Sequence, residues 1–205
     1  MVVDNNSLTS ILFASTNQDK FVEVRAVLAQ SNIQVLNPLD FPGSVPEVEE
    51  TGATFAENAL LKAQAFSLQY SQPVVAEDTG LSVHALGGEP GVHSNRWFEG
   101  SAAERNAALL KRVAPFEDRS ATFTTVACLY YPSGEKYFFE GMLHGTLALS
   151  FESSDGFGYD PIFIPDGYTE SLAALGLALK NEFSHRAIAF KRVAEHLAAH
   201  PLVTP

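Results

Sequence analysis

The twenty residues ILFASTNQDKFVEVRAVLAQ, Ile11 to Gln30, decide the fold class. Ile11 to Ala14 form a continuous apolar run of strand length, the mark of a strand buried on both faces. Ser15 to Lys20 are polar. Phe21, Val24, Val27 and Leu28 then recur at helical spacing. Strand, polar loop and helix follow one another within twenty residues, and Gln34 to Leu36 offers the next strand. Such alternation predicts an α/β or mixed α+β fold, with helices packed around a central mixed sheet.

Further along, the same signals return. Leu36 to Gly52 is an acidic, proline-punctuated loop. Thr54-Phe-Ala-Glu57 is a capping box that opens a helix to about Tyr70. Val74 to Ala76 reads as a short buried strand ending in Glu77-Asp78-Thr79-Gly80. Residues 80–97 are rich in glycine and read as loop. Ser101-Ala-Ala-Glu104 is a second capping box, for a helix to about Ala114. Ala121 to Tyr131 and Lys136 to Leu143 flank a Pro-Ser-Gly turn and read as a hairpin. A short helix is expected from Thr169. A last helix is expected from Ser184, burying Phe190, Val193, Ala194 and Leu197.

Composition limits what the protein does. The 205 residues carry 13 Lys and Arg against 24 Asp and Glu, a net charge of −11. A field of that sign repels a nucleic acid polymer. An anionic substrate therefore needs a local positive pocket, a divalent cation, or both. No apolar run is long enough to cross a membrane, and Met1 to Ser10 lacks the cationic and apolar parts of a secretory signal. The single cysteine, Cys128, excludes an internal disulfide. The cytoplasm is the expected compartment. With no repeat and no long linker, residues 1–205 are expected to form one domain.

Candidate chemistry lies where local rules are broken. Asn17 is a good N-cap, yet Lys20 sits in the helix's first turn, where the macrodipole disfavours a cation. Ser184 repeats the pattern with His185 and Arg186. Such cations either point into solvent or join the free amides of the helix start in binding an anion. Glu47, Glu49 and Glu50 share one loop, and Glu77 and Asp78 are adjacent. Crowded carboxylates are either solvated or held by a cation, and hard oxygen donors suit Mg²⁺. Asn58 and Lys62 share a helix face at i, i+4. The Gly-Phe-Gly-Tyr-Asp loop, 156–160, either makes a tight turn or lets Phe157 or Tyr159 stack on a flat base. No zinc spacing, Walker sequence or nucleophile elbow occurs.

Five segments in order carry a resemblance: ASTNQDKFVEV, EETGATFAENALLKA, AEDTGLSVHALGGEPGVHSNRW, GFGYDPIFIP and SHRAIAFKR. Through them the chain resembles the inosine triphosphate pyrophosphatase family, the non-canonical purine nucleoside triphosphate pyrophosphatases, over about residues 11 to 198. The resemblance implies a long mixed sheet with two lobes and a cleft between them, usually in a homodimer. It implies Mg²⁺-dependent hydrolysis of inosine, deoxyinosine or xanthosine triphosphate to the monophosphate and pyrophosphate. By motif match, Ser15, Thr16, Asn17, Gln18, Asp19 and Lys20 hold the triphosphate. Asn58 and Lys62 face the phosphates. Glu49 and Asp78 match the metal-binding acids, and Asp78 the proton acceptor. Thr79 stands at a substrate contact. Phe157, Gly158, Tyr159, Asp160, Lys180, His185 and Arg186 match the base and ribose side. Three departures stand out: Glu77-Asp78 for the usual Asp-Asp, Thr79 for serine, and Ala187 for glycine after Ser-His-Arg. Two other readings remain open: a related pyrophosphatase for other modified nucleotides, and a nucleotide-binding protein that does not hydrolyse.

Overall fold

A computed structural model describes residues 9–151 and 156–202. Six strands, β1 (Thr9–Phe13), β2 (Ile33–Leu36), β3 (Val74–Val83), β4 (Ser120–Tyr130), β5 (Lys136–Leu147) and β6 (Phe163–Pro165), form one sheet in the order β2-β1-β3-β4-β5-β6. Five helices surround it: α1 (Gln18–Ala29), α2 (Phe55–Tyr70), α3 (Ala102–Val113), α4 (Leu172–Phe183) and α5 (His185–Ala199). Strands β2, β1 and β3 pair in parallel, and β3 through β6 pair antiparallel.

Strand alternation explains the buried run at Ile11. Ile11 and Phe13 enter the cluster built with Phe21, Val24, Val27 and Leu28 of α1 and Phe190, Val193 and Leu197 of α5. Leu12 and Ala14 point to the opposite face, where Ala59, Ala63 and Phe66 of α2 cover them. Both faces of β1 are thus lined by helices. Phe13 meets Phe190 edge to face, with ring centroids 5.8 Å apart. A third cluster fills the far half of the sheet, joining Leu81, Val83 and Phe123 to Leu109 and Val113 of α3 and to Ile162, Phe163 and Leu172.

Both expected capping boxes form, at Thr54–Glu57 and Ser101–Glu104. Other expectations change. β3 does not stop at Ala76; it runs ten residues, because β4 pairs with it along its whole length. Glu77 and Asp78 are therefore mid-strand, and Gly80 to Val83 belong to β3 rather than to a loop. They do lie just beyond the end of β1, which pairs only with Val74 and Val75. The helix expected from Thr169 starts at Leu172, capped by Ser171, and continues to Phe183 across a break at Gly176 (φ 78°, ψ 162°). Lys180 lies on this helix. The sequence reads Asp155 to Asp160 as one glycine-punctuated loop, and its first residue, Asp155, lies outside the described residues.

Helix α5 rides directly on β5. A Cβ at Gly141 would stand 2.0 Å from the His185 carbonyl oxygen and 2.6 Å from the Ala189 nitrogen, so only glycine fits. Gly141→Ala is expected to lose about 1–3 kcal/mol, because the obstructing atoms are backbone and cannot swing aside. Urea unfolding of the variant against the parent measures it.

Candidate active site

The site grows from the place where β1 ends and β3 continues. There the chain leaves β1 through Ser15 and Thr16 and enters α1. Asn17 caps that helix, its Oδ1 accepting from the Lys20 amide at 3.1 Å, and the Ser15 hydroxyl oxygen accepts from the Asn17 amide at 3.2 Å. The amides of Thr16, Gln18 and Asp19 have no partner among the described residues. Ser15, Thr16, Asn17 and Lys20 line one cleft with Glu50, Lys62 and Glu77.

Alternation along β3 sends Glu77 and Asp78 to opposite faces of the sheet. Asp78 turns to α2. Its Oδ2 accepts from Asn58 Nδ2 at 3.0 Å, and its Oδ1 lies 3.4 Å from Lys62 Nζ. Glu77 turns to α1 and α5. Its Oε1 lies 3.1 Å from Lys20 Nζ, and Arg186 Nε donates to its two oxygens at 3.1 and 3.0 Å. Crowding of the two acids, expected from their adjacency, does not arise, since each meets its own cations.

From Glu77 an alternating chain of buried charge runs inward: Lys20, Glu77, Arg186, Glu23, Lys180, Asp160. Three cations and three carboxylates alternate along it. Burial works against the ionised Glu77, yet Arg186 and Lys20 outweigh it and hold the carboxyl far below the usual range. Glu23 is likewise lowered against its burial by Arg186 and Lys180. Burial lowers Lys20, with Lys62 and Arg186 adding to the effect against Glu77. Burial raises Asp160, which Lys180 only partly offsets.

A second cleft opens beside the first and shares Lys20 and Asn95 with it. It is lined by Thr79, Phe157, Gly158, Tyr159, Asp160, Lys180, His185 and Arg186. Phe157 is half-buried, with Lys180 Nζ 5.9 Å from its ring centroid. Tyr159 is packed into the core; burial pushes its phenol up to about 12, and it donates to the Ser94 carbonyl at 2.7 Å. His185 is buried and stacks on Phe123. Burial first, then Arg186 and Lys180, hold it well below 6.5, so the ring is neutral near pH 7. The Arg186 Nη2 atom is buried with no partner among the described residues.

Most residues singled out in the sequence gather along these two joined clefts, but Asn58 and Asp78 are not among the lining residues: Asp78 is buried on the α2 face and reaches the first cleft through its contact with Lys62. Gln18 instead lines a groove beside β2, and Asp19 a groove shared with Phe157, Asp160 and α4. Glu49 is exposed, while Asp78 is buried. Its neighbour Glu50, read from sequence as a member of the same acidic loop but not matched to the metal, reaches Lys62 at 2.6 Å and Arg96 at 3.4 Å. Glu23 was also unread, although it lies at i+3 from Lys20 on the buried stripe of α1. Asn106 of α3 donates to the Gly158 carbonyl at 2.9 Å. Cys128 lies mid-β4, and burial pushes its thiol up to about 12, which removes it as a nucleophile.

Among the described residues no group of three or more His, Cys, Asp or Glu is gathered for a metal. Glu50 and Asp78 nevertheless turn hard oxygen donors toward one Lys62 ammonium. That donor set fits Mg²⁺, which takes one or two carboxylates and completes its shell with phosphate oxygens and water.

The molecule is an α/β protein whose charged cleft sits where a mixed sheet changes from parallel to antiparallel pairing. The chain belongs to the Ham1 family, whose model matches residues 11–196. A dITP/XTP pyrophosphatase of Symbiobacterium thermophilum is 46% identical over 192 residues, covering 92% of this chain and 95% of the relative. Two solved structures, the Ham1 proteins of Staphylococcus aureus and Coxiella burnetii, superpose with TM-scores of 0.81 and 0.83 at 34% identity, each covering 93% of this chain and 99% of the other.

Glu77→Gln is expected to cost about 3–5 kcal/mol at pH 7, since Lys20 and Arg186 lose a buried counter-charge. The folded carboxyl titrates below its unfolded value near 4.5, so its stabilisation is present above that pH and fades as pH falls below it. Urea unfolding between pH 7 and pH 3 is expected to show the variant and the parent converging on the acid side.

Proposed function

We propose that this protein hydrolyses non-canonical purine nucleoside triphosphates, those of inosine, deoxyinosine and xanthosine, to the nucleoside monophosphate and pyrophosphate. The observation that carries the reading is the pair of joined clefts. One holds Ser15 to Asn17, Lys20 and Lys62 around unpaired amides. The other holds Phe157, Lys180, His185 and Arg186, and Lys20 lines both. A triphosphate in the first and a purine in the second fit the available charge and flat surfaces.

In this reading Asp78 accepts the proton of a water that attacks the α-phosphorus. The new P–O bond forms in line with the leaving bridging oxygen, and pyrophosphate departs toward the ammonium groups of Lys20 and Lys62. Positioning and charge neutralisation supply most of the acceleration. Asn58 fixes the Asp78 carboxylate from one side and Lys62 approaches it from the other. Mg²⁺, when bound, would neutralise phosphate oxygens; Glu49 and Asp78 are the acids matched to it by motif, and the position of Glu50 adds a third candidate. Thr16, Gln18 and Asp19 offer backbone amides to the phosphates. Thr79, Gly158, Tyr159 and Asp160 shape the base and ribose side. The protein acts as one unit of two lobes over residues 1–205, as a homodimer, in the cytoplasm. Among the described residues no helix is long and apolar enough to cross a membrane.

Turnover of ITP, dITP, XTP, ATP and GTP, with and without Mg²⁺ and with pyrophosphate as the readout, tests the reading. The three non-canonical substrates are expected to turn over only with the metal, and ATP about 10⁴-fold less efficiently. Equal turnover of ATP, or none of any triphosphate, overturns it.

Asp78→Asn is expected to abolish hydrolysis while leaving the circular dichroism spectrum of the fold unchanged. Full activity in that variant removes Asp78 from the mechanism.

A further inference from the structure

A line of hydroxyl groups links the buried charge of Glu77 to the ring of His185. Thr79 and Thr125 are direct cross-strand partners on β3 and β4. The Thr79 hydroxyl lies 3.2 Å from Glu77 Oε2 and 2.6 Å from the Thr125 hydroxyl oxygen. The Thr125 hydroxyl in turn lies 2.7 Å from His185 Nδ1. Thr125 and Phe123 lie on the same face of β4, so the first residue of α5 sits on the ring of Phe123 with its Nδ1 at Thr125.

Each hydroxyl has one proton, and the carboxylate has none to give. Glu77, facing Lys20 and Arg186, accepts only, so the Thr79 proton goes to Glu77. The 2.6 Å contact between the two threonines then needs the Thr125 proton. The 2.7 Å contact beyond it needs a proton on His185 Nδ1. A ring buried beside the Arg186 cation is neutral and carries one proton only. The other nitrogen, Nε2, is therefore bare. It has no protein partner among the described residues, and His185 lines the cleft assigned to the base.

We propose that Thr125, acting with Thr79, is a positioning residue that fixes His185 in its Nδ1-protonated tautomer, so that Nε2 meets the purine as a hydrogen-bond acceptor and selects a base bearing N1–H. This rests on the function proposed above and gives His185 a defined role toward the base, as an acceptor. The next residue, Arg186, holds an unpartnered donor, Nη2, and lines the same cleft. An acceptor at Nε2 complements the N1–H of hypoxanthine and xanthine. Adenine has a bare N1, which sets acceptor against acceptor and leaves Nε2 unpaired. Guanine carries the same edge as hypoxanthine, so the relay does not act against it.

The test uses the full chain with ¹⁵N-labelled histidine, and His185→Asn assigns the signal. Long-range ¹H–¹⁵N correlation is expected to show a protonated Nδ1 and a bare Nε2 in the parent and in Thr125→Ser. Thr125→Val, which keeps the shape without the hydroxyl, is expected to lose that bias. In parallel, Thr125→Val is expected to raise the ATP to ITP ratio of kcat/KM about tenfold and leave the GTP to ITP ratio unchanged. Thr125→Ser is expected to keep both. A parent spectrum with the proton on Nε2 overturns the proposal, whether or not the valine variant folds. So does an unchanged ATP to ITP ratio in folded Thr125→Val, or an equal change in both ratios, which marks a merely structural role. A parent that hydrolyses no purine triphosphate fails the functional reading instead, and the spectrum still decides the tautomer.

Discussion

The carboxylate of Glu77 is the contact on which the site depends. Two helices begin beside it, and each carries a cation in its first turn, Lys20 in α1 and Arg186 in α5. A cation there opposes the helix dipole. Glu77 relieves both conflicts at once by receiving both side chains. Without it the starts of α1 and α5 would present two buried like charges to each other across the end of β1. With it, the amides at those helix starts and the side chains around them stay in register with β3.

The rest of the buried chain follows from that contact. Arg186 extends from Glu77 to Glu23, and Lys180 from Glu23 to Asp160. Each charge is tolerated in the interior because its neighbours have the opposite sign. A packed apolar core would stabilise the fold as well or better. What the charges add is geometry. They tie β3, α1, α4, α5 and the 156–160 loop to one another and set the cations along the wall of the cleft. An anion that enters meets ammonium and guanidinium groups already oriented.

Local signals were legible and non-local ones were not. The N-caps Asn17 and Ser184 and the two capping boxes are written within four residues each, and all four form. The apolar run at Ile11 announced a strand covered on both faces. The length of β3 was hidden, because only pairing with β4, some fifty residues away, carries it past Ala76. The acids at 77 and 78 looked crowded because adjacency in sequence conceals the alternation of a strand. Of the site, the cations of the two helix starts and the acid Glu77 were flagged separately, but not that Glu77 joins them, and Glu23 was missed. Glu23 had a readable cue: a charge at i+3 from Lys20, on a helix face otherwise apolar, needs a partner. Thr125 had none; a threonine inside ATFTTVACLYY reads as ordinary strand, and its importance comes from what lies across the sheet.

Gly141 has a consequence over evolutionary time. Backbone of α5 occupies the space where any side chain would begin, so no amino-acid replacement at this position is neutral. Drift in β5 and in the first turn of α5 must then be correlated, since neither segment can change its path alone. The two stretches are expected to diversify as a single inherited block, even though some forty residues separate them.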